Sequence, residues 1–151
     1  MIDRFEELLR ELGVEYSLPL HPDKHGFCKL RINETLSAQI EFNPDQNIIT
    51  IATFISEIPA GKFRENILKA ALQNNHYYPE KSHLSYCDKN NQLALFQKVS
   101  ITTLTGKKLS EILSEFINKA EEWRTAIGTG NLTGLTPKAR IESKGMFGLT
   151  P

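Results

Sequence analysis

An α+β fold is expected for this chain: a twisted antiparallel five-stranded sheet with three helices, in the order α-β-β-β-α-β-β-α. Three observations lead there. Apolar residues recur at three- and four-residue steps in three separate stretches, the period of a helix with one inward face. Between those stretches apolar and polar residues alternate, the period of a half-buried strand. Consecutive strands are joined by turns of hairpin length, which ties neighbours antiparallel and leaves the helices to pack against the sheet.

The first helix is expected at about 3–12. Ile2, Phe5, Leu8, Leu9 and Leu12 form its stripe, Asp3 with Glu6 reads as a capping box, and Gly13 as a stop. Pro19, Pro22 and Gly26 then make a loop. Cys28, Leu30 and Ile32 alternate with Lys29, Arg31 and Asn33. Leu36, Ala38, Ile40 and Phe42 alternate with Ser37, Gln39, Glu41 and Asn43. After the turn residues 43–47 comes a third strand from Ile48 to Ile55. It is apolar on both sides, with Ile49, Ile51 and Ile55 against Ile48, Ala52 and Phe54. Such a strand is either covered on both faces or offers one of them to a partner.

Pro59-Ala60-Gly61 opens a second helix at about 62–74, with Phe63, Ile67, Ala70, Ala71 and Leu72 apolar. Two strands follow, His83 to Asp88 and Gln92 to Val99, around the tight turn Lys89-Asn90-Asn91. Thr105 is placed to cap the last helix. Its stripe of Leu109, Ile112, Leu113, Phe116, Ile117, Ala120 and Trp123 has the strongest period in the chain. Residues 1–126 are therefore expected to form the domain and 127–151 a flexible tail, which holds five of the nine glycines. Gly134-Leu135-Thr136-Pro137 recurs in the tail as Gly148-Leu149-Thr150-Pro151, either by compositional chance or as a linear motif presented twice.

Composition excludes several classes of function. The chain of 151 residues is 40% hydrophobic and 24% charged, with 18 basic and 18 acidic side chains. That balance argues against a dedicated nucleic-acid binder. The tail carries three bases against one acid, a net of +2, leaving −2 on the body. No apolar run approaches the ~18 residues of a membrane span, so no membrane insertion is expected. The acidic start is unlike a signal peptide. Two cysteines, Cys28 and Cys87, make no disulfide framework.

Catalytic and metal chemistry find little support. His21 and His25 stand four apart, but Pro22 and Gly26 argue against the helix that would aim both at one metal. Neither cysteine has neighbours that would activate a thiolate. His76 and His83 lack a nucleophile motif nearby, and Gly61-Lys62 and Gly106-Lys107 lack the upstream glycine of a phosphate loop. No paired carboxylates stand out. Neither catalytic residues, metal nor cofactor is expected. What remains is more apolar surface than one small sheet needs, on the first helix, the third strand and the Leu93-Ala94-Leu95-Phe96 strand. That surface suits a dimer interface and grooves for an extended peptide.

The stretch Leu68-Lys69-Ala70-Ala71-Leu72-Gln73-Asn74-Asn75 stands ahead of His83-Leu84-Ser85-Tyr86-Cys87-Asp88. Downstream come Asn91-Gln92-Leu93-Ala94-Leu95, Leu109, Ile112, Phe116, Ala120 and Glu122-Trp123-Arg124. Together with the order of elements and the Phe5-Glu6-Glu7-Leu8-Leu9 opening, this resembles the Tir-chaperone family, the class I chaperones of bacterial type III secretion. The resemblance covers about residues 1–126. Its most specific parts are the helix end at Asn74-Asn75 and the helix end from Ala120 to Arg124.

The resemblance implies a cytoplasmic, non-enzymatic dimer with a secretion-chaperone-like fold. It would hold the N-terminal segment of a secreted effector or gatekeeper protein extended and deliver it to the export apparatus. Cargo strands would add to a sheet edge while apolar cargo side chains fill pockets. Release would fall to the secretion ATPase, so no cofactor is implied. The family's groove maps here to Phe5, Leu8, Leu9, Leu12, Leu30, Ile32, Ile40 and Phe42, some of which must be core because a helix has one inward stripe. Its dimer interface maps to Ile67, Ala70, Ala71, Leu84 and Tyr86, in a homodimer or a heterodimer with a related chaperone. Two other readings remain open at this point. One is a regulator-like module of the same fold, similar to YbjN; the other is a small enzyme using His21, His25 or His83.

Overall fold

The computed structural model describes residues 3–79 and 82–135. The elements are α1 (Arg4–Tyr16), β1 (Phe27–Arg31), β2 (Ser37–Asn43), β3 (Ile48–Glu57), α2 (Lys62–Tyr77), β4 (His83–Cys87), β5 (Gln92–Ser100) and α3 (Gly106–Thr129). This is the expected order of three helices and five antiparallel strands. The sheet runs β1-β2-β3-β5-β4. The chain leaves β3 through α2, lays β4 at the far edge and returns β5 into the space between.

Local chemistry sets the helix ends. Asp3 caps α1 by accepting from the Glu6 N–H at 2.7 Å, and Thr105 caps α3 by accepting from the Lys108 N–H at 3.1 Å. Gly13 does not stop α1. The helix runs on to Tyr16 and ends at Ser17 in the left-handed region, with the Leu18 N–H donating to the Gly13 carbonyl at 2.9 Å. A Cβ on Gly13 would stand 2.3 Å from the Leu18 carbonyl oxygen, so the glycine admits the returning chain. Likewise α3 continues to Thr129, past the domain boundary expected at 126. Leu132 and Leu135 pack beyond it against the core. Residues 136–151, with the rest of the expected tail and the second Gly-Leu-Thr-Pro, lie outside the described residues.

Alternation sorts the strands into two faces. One carries Cys28, Leu30, Ala38, Ile40, Ile49, Ile51, Leu84, Leu93 and Leu95, all buried. α1 and α3 pack against each other, α3 lies over β3, and α2 flanks β4. Trp123 and Phe116 of α3 and Phe5, Leu8, Leu9 and Leu12 of α1 fill the same core. The α1–α3 seam is close. The Gly106 N–H donates to Glu11 Oε2 at 2.9 Å, Arg4 reaches the Leu104 carbonyl, and a Cβ on Gly106 would stand 2.4 Å from the Glu11 Cβ.

Candidate functional site

The second face of the sheet is the open one. Register sets Ala52 opposite Phe96 and Phe54 opposite Ala94, in the middle of the sheet. Lys29 and Gln39 pair on the β1–β2 side, and His83 lies against Phe96 with ring centroids 5.7 Å apart. No strand residue on this face is buried. Phe54 is 50% exposed, although a phenylalanine at the centre of a sheet is ordinarily covered. Beside it a cleft of about 470 Å³ is lined by Lys29, Gln39, Ala52, Phe54 and Ala94. An apolar centre with polar flanks suits an amphipathic chain laid across it.

The two edges of the sheet differ. At β4 the Asn75 side chain of α2 imitates a neighbouring strand. Its Oδ1 accepts from the Leu84 N–H at 2.8 Å and its Nδ2 donates to the Leu84 carbonyl at 2.9 Å. Asn74, 3% exposed, donates to the same Asn75 Oδ1 at 3.2 Å. Around the β4–β5 hairpin, Tyr86 donates to Asn91 Oδ1 at 2.8 Å, Arg64 donates to the Tyr86 hydroxyl at 3.2 Å, and Asn91 donates to the Ile58 carbonyl at 2.9 Å. α2 and its loop therefore occupy that edge.

At β1, among the described residues, only the first residue is closed in this way. Asp23 Oδ1 accepts from the Phe27 N–H at 3.0 Å and from the His25 N–H at 2.8 Å, while the Asp23 N–H donates to the Phe27 carbonyl at 2.7 Å. These hydrogen bonds hold the Asp23 carboxyl below its ordinary value of 3.8. Because Phe27 turns its backbone groups outward, so do Lys29 and Arg31 by alternation. Among the described residues nothing pairs with those groups, and both side chains are exposed.

The residues expected to line a groove are mostly in the core of this chain. Phe5, Leu8, Leu9, Leu12, Leu30 and Ile40 are 5% exposed or less. α1 has one apolar stripe, and that stripe faces the sheet and α3. Phe42 is partly buried and stacks on Phe5 at 5.4 Å. Ile32 lies beyond β1, in the turn to β2, where its N–H donates to the Leu36 carbonyl, and it is 39% exposed. Of the residues mapped to a dimer interface, Ile67, Ala70, Ala71 and Leu84 are buried against the chain's own sheet, and Tyr86 is exposed. Leu72, on the outward side of α2, is 70% exposed.

Sequence reasoning did not single out the Lys29 and Arg31 edge, because edge position is a property of the assembled sheet. Phe54 and Ala52 did carry a signal, the doubly apolar third strand. The chemistry of the remaining candidates is muted. Burial, and then the Asp23 charge, push the Cys28 thiol up, as befits an unreactive core cysteine. His21 and His25 are exposed loop residues. Among the described residues no three His, Cys, Asp or Glu side chains converge as metal ligands, and no helix is long and apolar enough to cross a membrane.

Comparison with known proteins places this geometry. The structure overlays a chain from the structure of the HopA1–SchA chaperone–effector complex with a TM-score of 0.70 at 18% identity, covering 83% of this chain and 100% of that one. It overlays a chain from the structure of the ExsC–ExsE complex with a TM-score of 0.69 at 19% identity, covering 81% and 92%. YbjN of E. coli is less similar, at a TM-score of 0.54 and 14% identity over 82% and 92%. No curated protein matches the chain by sequence. The profile of the Tir chaperone protein (CesT) family matches residues 7–124, from α1 to the Trp123 turn of α3. The chain therefore belongs to the Tir chaperone protein (CesT) family.

Proposed function

We propose that this protein is a type III secretion chaperone. It holds the N-terminal segment of a secreted effector or gatekeeper protein in extended form, keeps it competent for export and brings it to the secretion machinery. The observation that carries this reading is the family match across residues 7–124, the span that builds all five strands. The work is done by binding, in the cytoplasm, with release left to the secretion ATPase.

The geometry supports a division of labour between surfaces. A cargo strand adds to the unpaired Lys29–Arg31 edge, and its alternate side chains reach the apolar centre around Phe54. Apolar burial contributes about 25 cal/mol per Å², enough for a long segment to offset its ordering entropy. The dimer forms through the exposed side of α2 and β4, at Leu72 and Tyr86, since Ile67, Ala70, Ala71 and Leu84 serve the protomer's own core.

Native mass spectrometry of the protein purified gently from its own cells tests this directly. The expected species is two chains plus one unrelated polypeptide whose N-terminal segment is protected from protease. Two different chaperone-sized chains would assign a heterodimer. A bare monomer at every salt concentration would overturn the reading.

A further inference from the structure

The unpaired part of β1 carries two cations. Lys29 and Arg31 are exposed, and both stand on the open face, across the ladder from Gln39 and Ser37. An acid directly across a ladder stabilises a cation, and here both positions across are neutral. The acid of β2, Glu41, lies opposite Phe27 and only diagonal to Lys29. Asp23 commits its carboxylate to the Phe27 and His25 N–H groups, and Lys29 is the weakest of the influences on it. Among the described residues neither cation makes an ion pair.

That charge decides what can pair with the edge. Two copies of β1 laid antiparallel about Lys29 would set cation against cation, which is destabilising. The chain beyond Leu135 is basic as well, with Lys138, Arg140 and Lys144 against Glu142. An acidic strand meets neither obstacle. The backbone groups of Lys29 and Arg31 face outward, so an antiparallel strand bonded to them sets its own side chains directly across from theirs, on the open face. Two acids with one residue between them then stand opposite both cations.

We infer that Lys29 and Arg31 select the cargo strand: the segment added to β1 carries two acids in alternate positions on its open-face side, and the same two cations turn a second copy of β1 away. The selection rests on the proposed edge addition and gives the chemistry of the strand that the edge admits. Specificity comes from attraction of the acid and repulsion of the base together. Lys29 also lines the Phe54 cleft, so the acid paired with it stands at the border of the apolar centre.

Two-dimensional NMR of the full chain, titrated with three short synthetic peptides, tests it. Each peptide alternates valine and threonine, and two successive threonine positions are replaced by glutamate, glutamine or lysine. The glutamate peptide is expected to shift the Lys29 and Arg31 amides and to bind about three- to tenfold more tightly than the glutamine one, with the lysine peptide weakest. The differences should shrink as salt is raised. The double variant Lys29→Glu, Arg31→Glu should reverse the order, and Lys29→Gln, Arg31→Gln should level it. Shifts at the edge with equal affinity for all three peptides overturn the selection and leave edge addition standing. A glutamate preference with shifts confined to His83 and Lys98 overturns it by moving the charge reading to the far side of the open face. No shift at Lys29 or Arg31 with any peptide overturns both the selection and edge addition, while the two-chain complex with cargo is tested separately by native mass spectrometry.

Discussion

The two faces of the sheet are made from the same kinds of residue and meet opposite fates. On one, Ile49, Ile51, Leu93 and Leu95 are fully buried under α1 and α3. On the other, Phe54 is half exposed, with Ala52, Ala94 and Phe96 around it. Both faces of β3 and β5 alternate correctly, so the difference lies in what is available to cover them. α1 and α3 cover one face of the five strands and α2 takes the β4 edge, so among the described residues no element is left to cover the second face. The edges repeat the contrast on a smaller scale: β4 is closed by the amide of Asn75 and, among the described residues, β1 is closed at Phe27 alone.

Substitutions on the covered face should cost the most. Trp123→Ala removes the largest side chain of the core and should destabilise the protein by about 3–5 kcal/mol, read as a lower midpoint in urea. A loss below ~1 kcal/mol would mean that the α3 face is not tightly packed. The closed edge should be next. Asn75→Ala leaves the Leu84 N–H and carbonyl without their partner, which should cost about 1–3 kcal/mol and speed amide exchange at Leu84. Unchanged exchange would show that the edge is held by something other than Asn75.

The open face should reverse the pattern. Phe54→Asp should change stability by no more than ~0.5 kcal/mol. The same substitution should weaken binding of a cargo segment at least about tenfold, the scale of losing one buried apolar side chain. Calorimetric titration against a cargo N-terminal segment checks it, and unchanged affinity would move cargo off this face. Ile67→Asp would be a poor probe of dimerisation, because it would disrupt the protomer. Leu72→Asp asks that question without touching the core.

The smallest effect should be at the β1 edge. Asp23 titrates below its ordinary 3.8 because its ionised form accepts the Phe27 and His25 N–H groups. A carboxyl with a depressed folded value adds stability that is present above the unfolded value and is lost as pH falls through the folded one. Stability at the start of β1 should therefore decline only at strongly acid pH, and Asp23→Asn should remove that dependence. An Asp23 carboxyl seen by NMR to titrate at or above 3.8 would contradict the turn geometry.

The family-like details that could be read in the sequence now have physical meanings. Asn74-Asn75 is the device that closes β4. The Ala120–Arg124 segment buries Ala120 and Trp123, while Glu121 accepts from Asn33 and Arg124 donates to the Thr35 carbonyl at 2.9 Å, pinning the β1–β2 turn. The groove was less legible. Phe5, Leu8 and Leu9 look the same in sequence whether they face a cargo or a core, since periodicity reports only that a face is apolar.

By itself the sequence determined the element order, the strand phases, the caps at Asp3 and Thr105 and the apolar character of both sides of β3. These follow from local chemistry: side-chain period, capping oxygens and turn residues act within a few positions of the chain. Only the tertiary structure decided that β5 enters between β3 and β4, that Gly13 admits Leu18 instead of ending α1, and which apolar stripes are covered. Those outcomes depend on which surfaces meet across the whole chain, and burial is a property of the pair of surfaces that meet.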